Sequence, residues 1–267
     1  LFMFPCTPLV VALTEKIIRG KDEKVHHNEL QYITEISLKS PATMIPQAKN
    51  ELRRMANMAQ ENLDHAIHGF LNQSDEFVDK IYHREEDINN VSHAITDYLV
   101  KSNQLLLPLA DQKILGSMFY VVNDIERIGD HAENFADFTK TEIKHNTGLT
   151  GDAKEEIKKM YDAVSKLLKL SLETFIAQDG VNTQEDKLAE IAALEASIDK
   201  MERRYQKHHI KRLAKGDCEP RAGLLFSDML SELERIADHS VNIAYSMSDE
   251  DEDEMLAAEN EALAANN

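Results

Sequence analysis

No proline occurs between Pro108 and Pro220, a stretch of 111 residues. A sheet protein must reverse its chain every few residues and uses Pro and Gly to do it. So long an interval without proline excludes most β and α/β architectures. The few breaks are placed as helix ends: Asn72-Gln73-Ser74-Asp75, Leu107-Pro108, His145 to Asp152, Gln178-Asp179-Gly180 and Gly216 to Pro220. Ser74 or Asp75, and later Thr150 or Asp152, have side chains suited to cap the following helix.

Apolar residues between these breaks recur at helical spacing. Ala48, Leu52, Met55, Ala59, Leu63, Ala66 and Phe70 form one stripe. Further stripes run from Phe77 to Leu99, Leu115 to Ala132, Ile157 to Phe175, Leu188 to Met201 and Leu225 to Ala244. Six amphipathic helices in two sets of three are expected. The second set echoes the first. ERIGDHAENFAD (126–137) and ERIADHSVNIAY (234–245) agree at seven of twelve positions, 108 residues apart. REEDIN (84–89) and LEASID (194–199) resemble each other at nearly the same offset. The expected fold is all-α: two tandem antiparallel three-helix bundles, at 45–146 and 152–247.

The ends differ from the body. Residues 1–13 (LFMFPCTPLVVAL) are apolar, and Lys16, Arg19, Lys21 and Lys24 follow. The run is shorter than the roughly 20 residues of a membrane span. It reads either as a buried strand or helix end, or as the end of a membrane segment (1–14) with a basic cytoplasmic flank. Residues 15–44 read as a linker. Residues 248–267, with eight acids and no Lys or Arg, read as a disordered tail. Subtracting those acids from the net charge of −18 leaves −10 on the rest. A body so acidic argues against nucleic acid as a partner. Two cysteines, Cys6 and Cys218, make neither a disulfide framework nor a zinc motif.

The chemistry lies in the repeated motifs. Glu126 and Asp130, and Glu234 and Asp238, stand at i and i+4, on one face of their helices. Like charges so placed cost roughly 0.2–0.5 kcal/mol per pair. The preceding helices carry Glu195-x-x-x-Asp199 and Glu85-x-x-x-Asn89, the latter with an amide in place of the second acid. In an antiparallel hairpin, residues equidistant from the turn lie level. The motifs centred on 87 and 128 straddle Leu107-Pro108, and those centred on 197 and 236 straddle Gly216-Asp217. Three or four carboxylates should therefore face each other in each half. Such hard oxygen donors suit Mg, Ca, Mn or iron; the alternative is a solvated acidic face. Asp124, Glu232, Arg127 and Arg235 flank the motifs as supporting groups. So do His131 and His239, which lie one step, about 100°, around the helix from the motif Asp. The stronger site is expected in the second half, where both motifs are intact. Paired Glu-x-x-His motifs on core helices, as a di-iron oxidase requires, are missing, and no nucleophile–base pair or phosphate loop is present. The chain is not read as an enzyme.

NDIERIGDHAENFAD and SELERIADHSVNIAY resemble the repeated E(D)xxxD signature of the PhoU family of phosphate-transport regulators, over roughly residues 45–247. The apolar start, the linker and LKSPATMIPQAKNELRRM resemble the C-terminal part of a bacterial Na⁺/phosphate cotransporter, in which a PhoU-like domain follows the membrane domain. The resemblance implies regulation of phosphate uptake at the cytoplasmic face of the inner membrane. The membrane domain of the same transporter is the implied partner, with other phosphate-regulation proteins or a second copy as further ones. It also implies a metal ion such as iron, Mg, Mn or Zn on Glu85, Glu126, Asp130, Glu195, Asp199, Glu234 and Asp238. The bottom-up alternative is an interaction scaffold without metal.

Overall fold

The computed structural model describes residues 30–34, 41–145, 148–177 and 185–247. The expected membrane segment (1–14), most of the linker and the acidic tail lie outside the described residues. Six helices follow in order: α1 (Pro41–Asn72), α2 (Val78–Asn103), α3 (Leu109–His145), α4 (Gly151–Ala177), α5 (Glu185–Lys215) and α6 (Pro220–Tyr245). No strand occurs among the described residues. No helix there is long and apolar enough to cross a membrane.

The expected stripes face the core, although on α5 only Ile191 and Ile198 of the stripe are buried, with Leu188, Leu194 and Met201 half-buried against it. All seven α1 stripe residues from Ala48 to Phe70 are buried, as are Leu115, Met118, Val122, Ile125 and Ala132 on α3. Three helices pack mutually in each half. In the first half α1 and α2 run antiparallel, since Asn62 donates to the Ile81 carbonyl (3.0 Å) and Glu61 pairs with Arg84 (2.7 Å). α1 and α3 run parallel: a Cβ on Gly69 would meet Thr139, and Gln73 donates to Glu142 (2.9 Å).

Two boundaries differ from expectation. α1 begins at Pro41, inside the expected linker, and runs through Pro46. A proline near a helix start removes only one hydrogen bond, and the carbonyl it frees belongs to the exposed Ala42. Neither Ser74 nor Asp75 is the N-cap of α2. That place falls to Phe77, without a side-chain cap, while Ser74 Oγ accepts from the amide of Glu76 (3.3 Å). Thr150 does cap α4, accepting from the amide of Ala153 (3.2 Å). Gly216, at φ +76°, turns α5 into α6, and Pro220 opens α6.

The halves join through two helix pairs, α1 with α4 and α3 with α6. Lys49 donates to the Ile176 carbonyl (3.1 Å), Gln60 to Tyr161 (3.2 Å) and Lys154 to the Leu71 carbonyl (3.4 Å), while Tyr161 donates to Asp64. Residue numbers rise along α1 as they fall along α4, so these helices are antiparallel. The α3/α6 pair is antiparallel as well, and it carries the site.

Candidate functional site

The hairpins bring the motif acids level. In the first half Glu85 on α2 lies within electrostatic reach of Glu126, Asp130 and Glu133 on α3. In the second, Glu195 and Asp199 on α5 lie within reach of Asp238 on α6, and Glu234 feels Asp238, Glu202 and Asp199. Asn89 sits half-buried one turn beyond Glu85. The exposed guanidiniums of Arg127 and Arg235 lie beside the acids: Arg127 Nη1 is 3.1 Å from Asp130, and Arg235 Nη1 is 3.7 Å from Glu232.

Glu133 and Glu202 join these clusters without having been singled out from the sequence. Each continues the i, i+4 face by three residues, after Asp130 and Asp199 respectively. Extending the motif spacing to i+7 finds both.

The first cluster contains the most unusual group. Glu85 is only 3 % exposed, and both its carboxyl oxygens are buried without a hydrogen-bond partner. Burial, then repulsion from Asp130, Glu133 and Glu126, pushes its pKa up to about 8. Gly129 makes the burial possible. A Cβ there would stand 2.5 Å from Glu85 Oε2 and 3.3 Å from Ile88 Cγ2. The repeat places Ala237 at the corresponding position, and Glu195 is correspondingly only half-buried. The deeper carboxylate therefore lies in the first half, although Asn89 led the sequence reading to favour the second.

Glu126, Glu133, Glu195, Glu234 and Asp238 shift the same way. Burial and then Asp130 raise Glu126, against Arg127, His93 and His239. Burial and then Asp137 and Asp130 raise Glu133. Burial and then Asp199 and Asp238 raise Glu195. Burial and then Asp238 raise Glu234, and burial and then Asp199 raise Asp238. Crowded, half-desolvated carboxylates favour a proton or a cation.

Asp124, Glu232, His131 and His239, expected beside the motifs, lie on the seam between the two halves. The 100° step that turns each His away from its motif Asp carries it onto the other half. His131 Nδ1 donates to Glu232 Oε2 (2.5 Å), joined by Asn134 Nδ2 (2.9 Å). One repeat later, His239 Nδ1 donates to Asp124 Oδ1 (2.8 Å), with Asn242 Nδ2 at 3.5 Å. The two imidazole centres are 5.6 Å apart. The joint is thus doubled by the repeat, and it runs between the two acidic clusters. Burial alone would raise Glu232. The hydrogen bonds from His131 and Asn134, and the charges of His131 and Arg235, outweigh it and bring the carboxyl below its ordinary value.

The sequence model of the PhoU domain matches residues 52–139 and 157–247, one match for each three-helix bundle. The chain belongs to the PhoU family. The chain is 22 % identical to the phosphate-specific transport system accessory protein PhoU homolog 1 of Thermotoga maritima over 201 residues, 73 % of this chain and 82 % of that one. The crystal structure of PhoU from Pseudomonas aeruginosa superposes with a TM-score of 0.70 at 20 % identity, covering 79 % of this chain and 98 % of that one. The phosphate transport system regulatory protein PhoU of Streptococcus pneumoniae does so at 0.69 and 20 %, covering 79 % and 96 %. At that identity the structural likeness establishes the all-helical fold. PhoU proteins are regulatory accessory proteins and not enzymes.

Proposed function

We propose that this PhoU-family chain regulates phosphate uptake from the cytoplasmic face of the membrane, and that its two acidic clusters load metal ions. The partner is the membrane domain of a Na⁺/phosphate symporter. The names of the relatives support the phosphate connection, and the apolar run with its basic flank supports the membrane side.

The observation that carries the metal reading is Glu85: a buried carboxyl, seated over a glycine, with both oxygens unpartnered and three further acids around it. A cation satisfies those oxygens and relieves the repulsion at once. The donor set is all carboxylate oxygen, which fits Mg, Mn or iron better than Zn. Glu85, Glu126, Asp130 and Glu133 would hold the ion in the first half, and Glu195, Asp199, Glu234 and Asp238 in the second. The joint His residues already hold Asp124 and Glu232, and they orient the helices that carry the ligands.

As placed, no three His, Cys, Asp or Glu side chains among the described residues converge closely enough to hold one ion. Loading therefore requires carboxylates to turn inward. The same observation favours the second reading, an interaction scaffold that works without metal.

Thermal unfolding of the chelator-treated chain, titrated with Mg²⁺, Mn²⁺, Fe²⁺ and Zn²⁺, separates the two. Binding stabilises by RT ln(1 + [L]/Kd), about 2.7 kcal/mol at a hundred times Kd. That rise should shrink in Glu85→Gln and in Asp238→Asn. An unchanged melting temperature with every ion, together with capture of the symporter membrane domain in excess chelator, would leave the scaffold reading in its place.

A further inference from the structure

The C-terminal half of α5 turns a cationic face to solvent. Lys200, Arg203, Arg204, Lys207, Lys211 and Lys215 are all exposed, and their spacing confines them to about 120° of the helix circumference. The buried residues Ile198, Tyr205 and His209 lie on the opposite side. Residues 200–215 hold seven Lys and Arg and one acid, Glu202, a net +6 in a chain of −18.

Neighbouring acids leave most of this charge uncompensated. Glu195 and Glu202 lie in the cluster with Asp238 and Glu234. Asp199 reaches Arg203 alone (3.4 Å), and Glu156 of α4 holds His208 (2.6 Å) and Arg212 (2.9 Å) at the edge of the face. Asp217 and Glu219 lie beyond it, in the turn to α6. Among the described residues Lys200, Lys207, Lys211 and Lys215 make no ion pair. Nor does the bundle need these cations. At the offset of 110 residues that relates the halves, α2 carries Asn90, His93, Ala94, Asp97, Lys101 and Leu105 in their places.

Charge and reach point to the occupant. Residues 248–267, which lie outside the described residues, hold eight acids and no Lys or Arg. Gln206 donates to Ser227 (3.0 Å) and Tyr245 to the Leu188 carbonyl (3.1 Å), so Tyr245 is level with Leu188. Lys200 to Lys215 therefore lie roughly 18–40 Å along α5 from that level. Extended chain from Tyr245 reaches up to roughly 13 Å at Asp249, 30 Å at Glu254 and 53 Å at Glu261. The acids thus span the whole basic face, while the acidic remainder of the body repels them. A segment tethered so close is present at an effective concentration of about a millimolar.

We propose that residues 248–267 dock along this face of α5 in the same chain, with Asp249–Glu254 beside Lys200–Arg204 and with Glu259 and Glu261 toward Lys211 and Lys215. An anionic partner then reaches the face only by displacing them. The proposal is independent of the metal and membrane readings above.

Zero-length carbodiimide coupling of the full chain, mapped by peptide mass spectrometry, tests it. Lys158 with Asp162 (2.8 Å) and Lys166 with Glu190 (3.3 Å) are built-in standards. The acids of 249–261 should link to Lys200, Lys207, Lys211 and Lys215. Raising salt from about 0.05 to 0.5 M should cut those links about threefold or more relative to the standards. Lys207→Glu with Lys211→Glu should also reduce the links at Lys200 and Lys215, and leave the standards unchanged. Standards without tail links would overturn the proposal. So would tail links spread evenly over exposed lysines such as Lys101 and Lys169. In a mixture of isotope-labelled and unlabelled chains, tail links found only between chains would overturn docking within one chain and assign the face to the tail of a second copy.

Discussion

His131 Nδ1 lies 2.5 Å from Glu232 Oε2 across the boundary between the two bundles, and the repeat doubles this bond as His239 to Asp124. A half-buried carboxylate whose donor is removed keeps its desolvation cost and loses its compensation. His131→Ala should therefore destabilise the fold by about 1–3 kcal/mol. In a double-mutant cycle with Glu232→Gln, the two losses should be markedly non-additive. Urea melts of the four proteins measure the coupling, and simple additivity would mean that the bond contributes nothing. Because Glu232 is brought below its ordinary 4.5, its contribution is present above that pH and is lost as pH falls through the lower folded value. Glu232→Gln should remove that acid-side loss.

Glu85 carries the opposite sign. Its pKa stands at about 8 in the fold, against 4.5 when exposed. The folded chain holds a proton that the unfolded chain releases. Stability is full below about pH 4.5 and is lost as pH rises through about 8. In chelator, melting temperature should fall from acid to neutral to mildly alkaline pH, and Glu85→Gln should flatten this dependence. A saturating cation should flatten it too, by keeping the carboxylate compensated when it ionises.

Gly129→Ala tests the seat of that carboxylate. The new Cβ would stand 2.5 Å from Glu85 Oε2, so the α2/α3 contact must open or the carboxyl must leave. The expected cost is about 1–3 kcal/mol. Shortening the neighbour, in Gly129→Ala with Glu85→Ala, should recover much of it. Equal melting temperatures for the glycine and alanine forms would show that the approach is not close.

Gly223 has the same role against a histidine. A Cβ there would meet His209 Cε1 and Nε2 at 2.6 Å, and His209 is buried against Phe226 with ring centres 5.3 Å apart. Gly223→Ala should cost about 1–3 kcal/mol. Burial, and then repulsion from Arg212, lower the His209 pKa below its ordinary 6.5. The unfolded chain binds that proton more readily, so stability should fall as pH drops below 6.5. His209→Leu should remove this component, as read from chemical melts over the neutral-to-acid range.

Much of this arrangement is legible in the residue pattern. The stripe from Ala48 to Phe70 is buried because helical spacing leaves only one face to pack. The level acids follow from hairpin geometry, which needs only the turn position and a constant rise per residue. Glu133 and Glu202 were within reach of the same reasoning. The cap at Phe77 was not, because tertiary packing set the start of α2 where a polar side chain would have been expected. The two joint histidines were visible as a repeated pair, and even their direction away from the motif Asp could be read. Their partners, 101 and 115 residues distant, could not.

By itself the sequence determined the six helices of the described residues, their order, their hairpin register and the doubling of the acidic motif. These depend on local period and on turns, which neighbouring residues impose. Only the tertiary structure decided that the halves join antiparallel through α3 and α6, that Glu85 and not Glu195 is sealed from water, and that the α2–α3 leucines stay outside the core. Burial is a property of what approaches from elsewhere in the chain, and the difference between Gly129 and Ala237 acquires its meaning only once a helix from the same bundle lies against each.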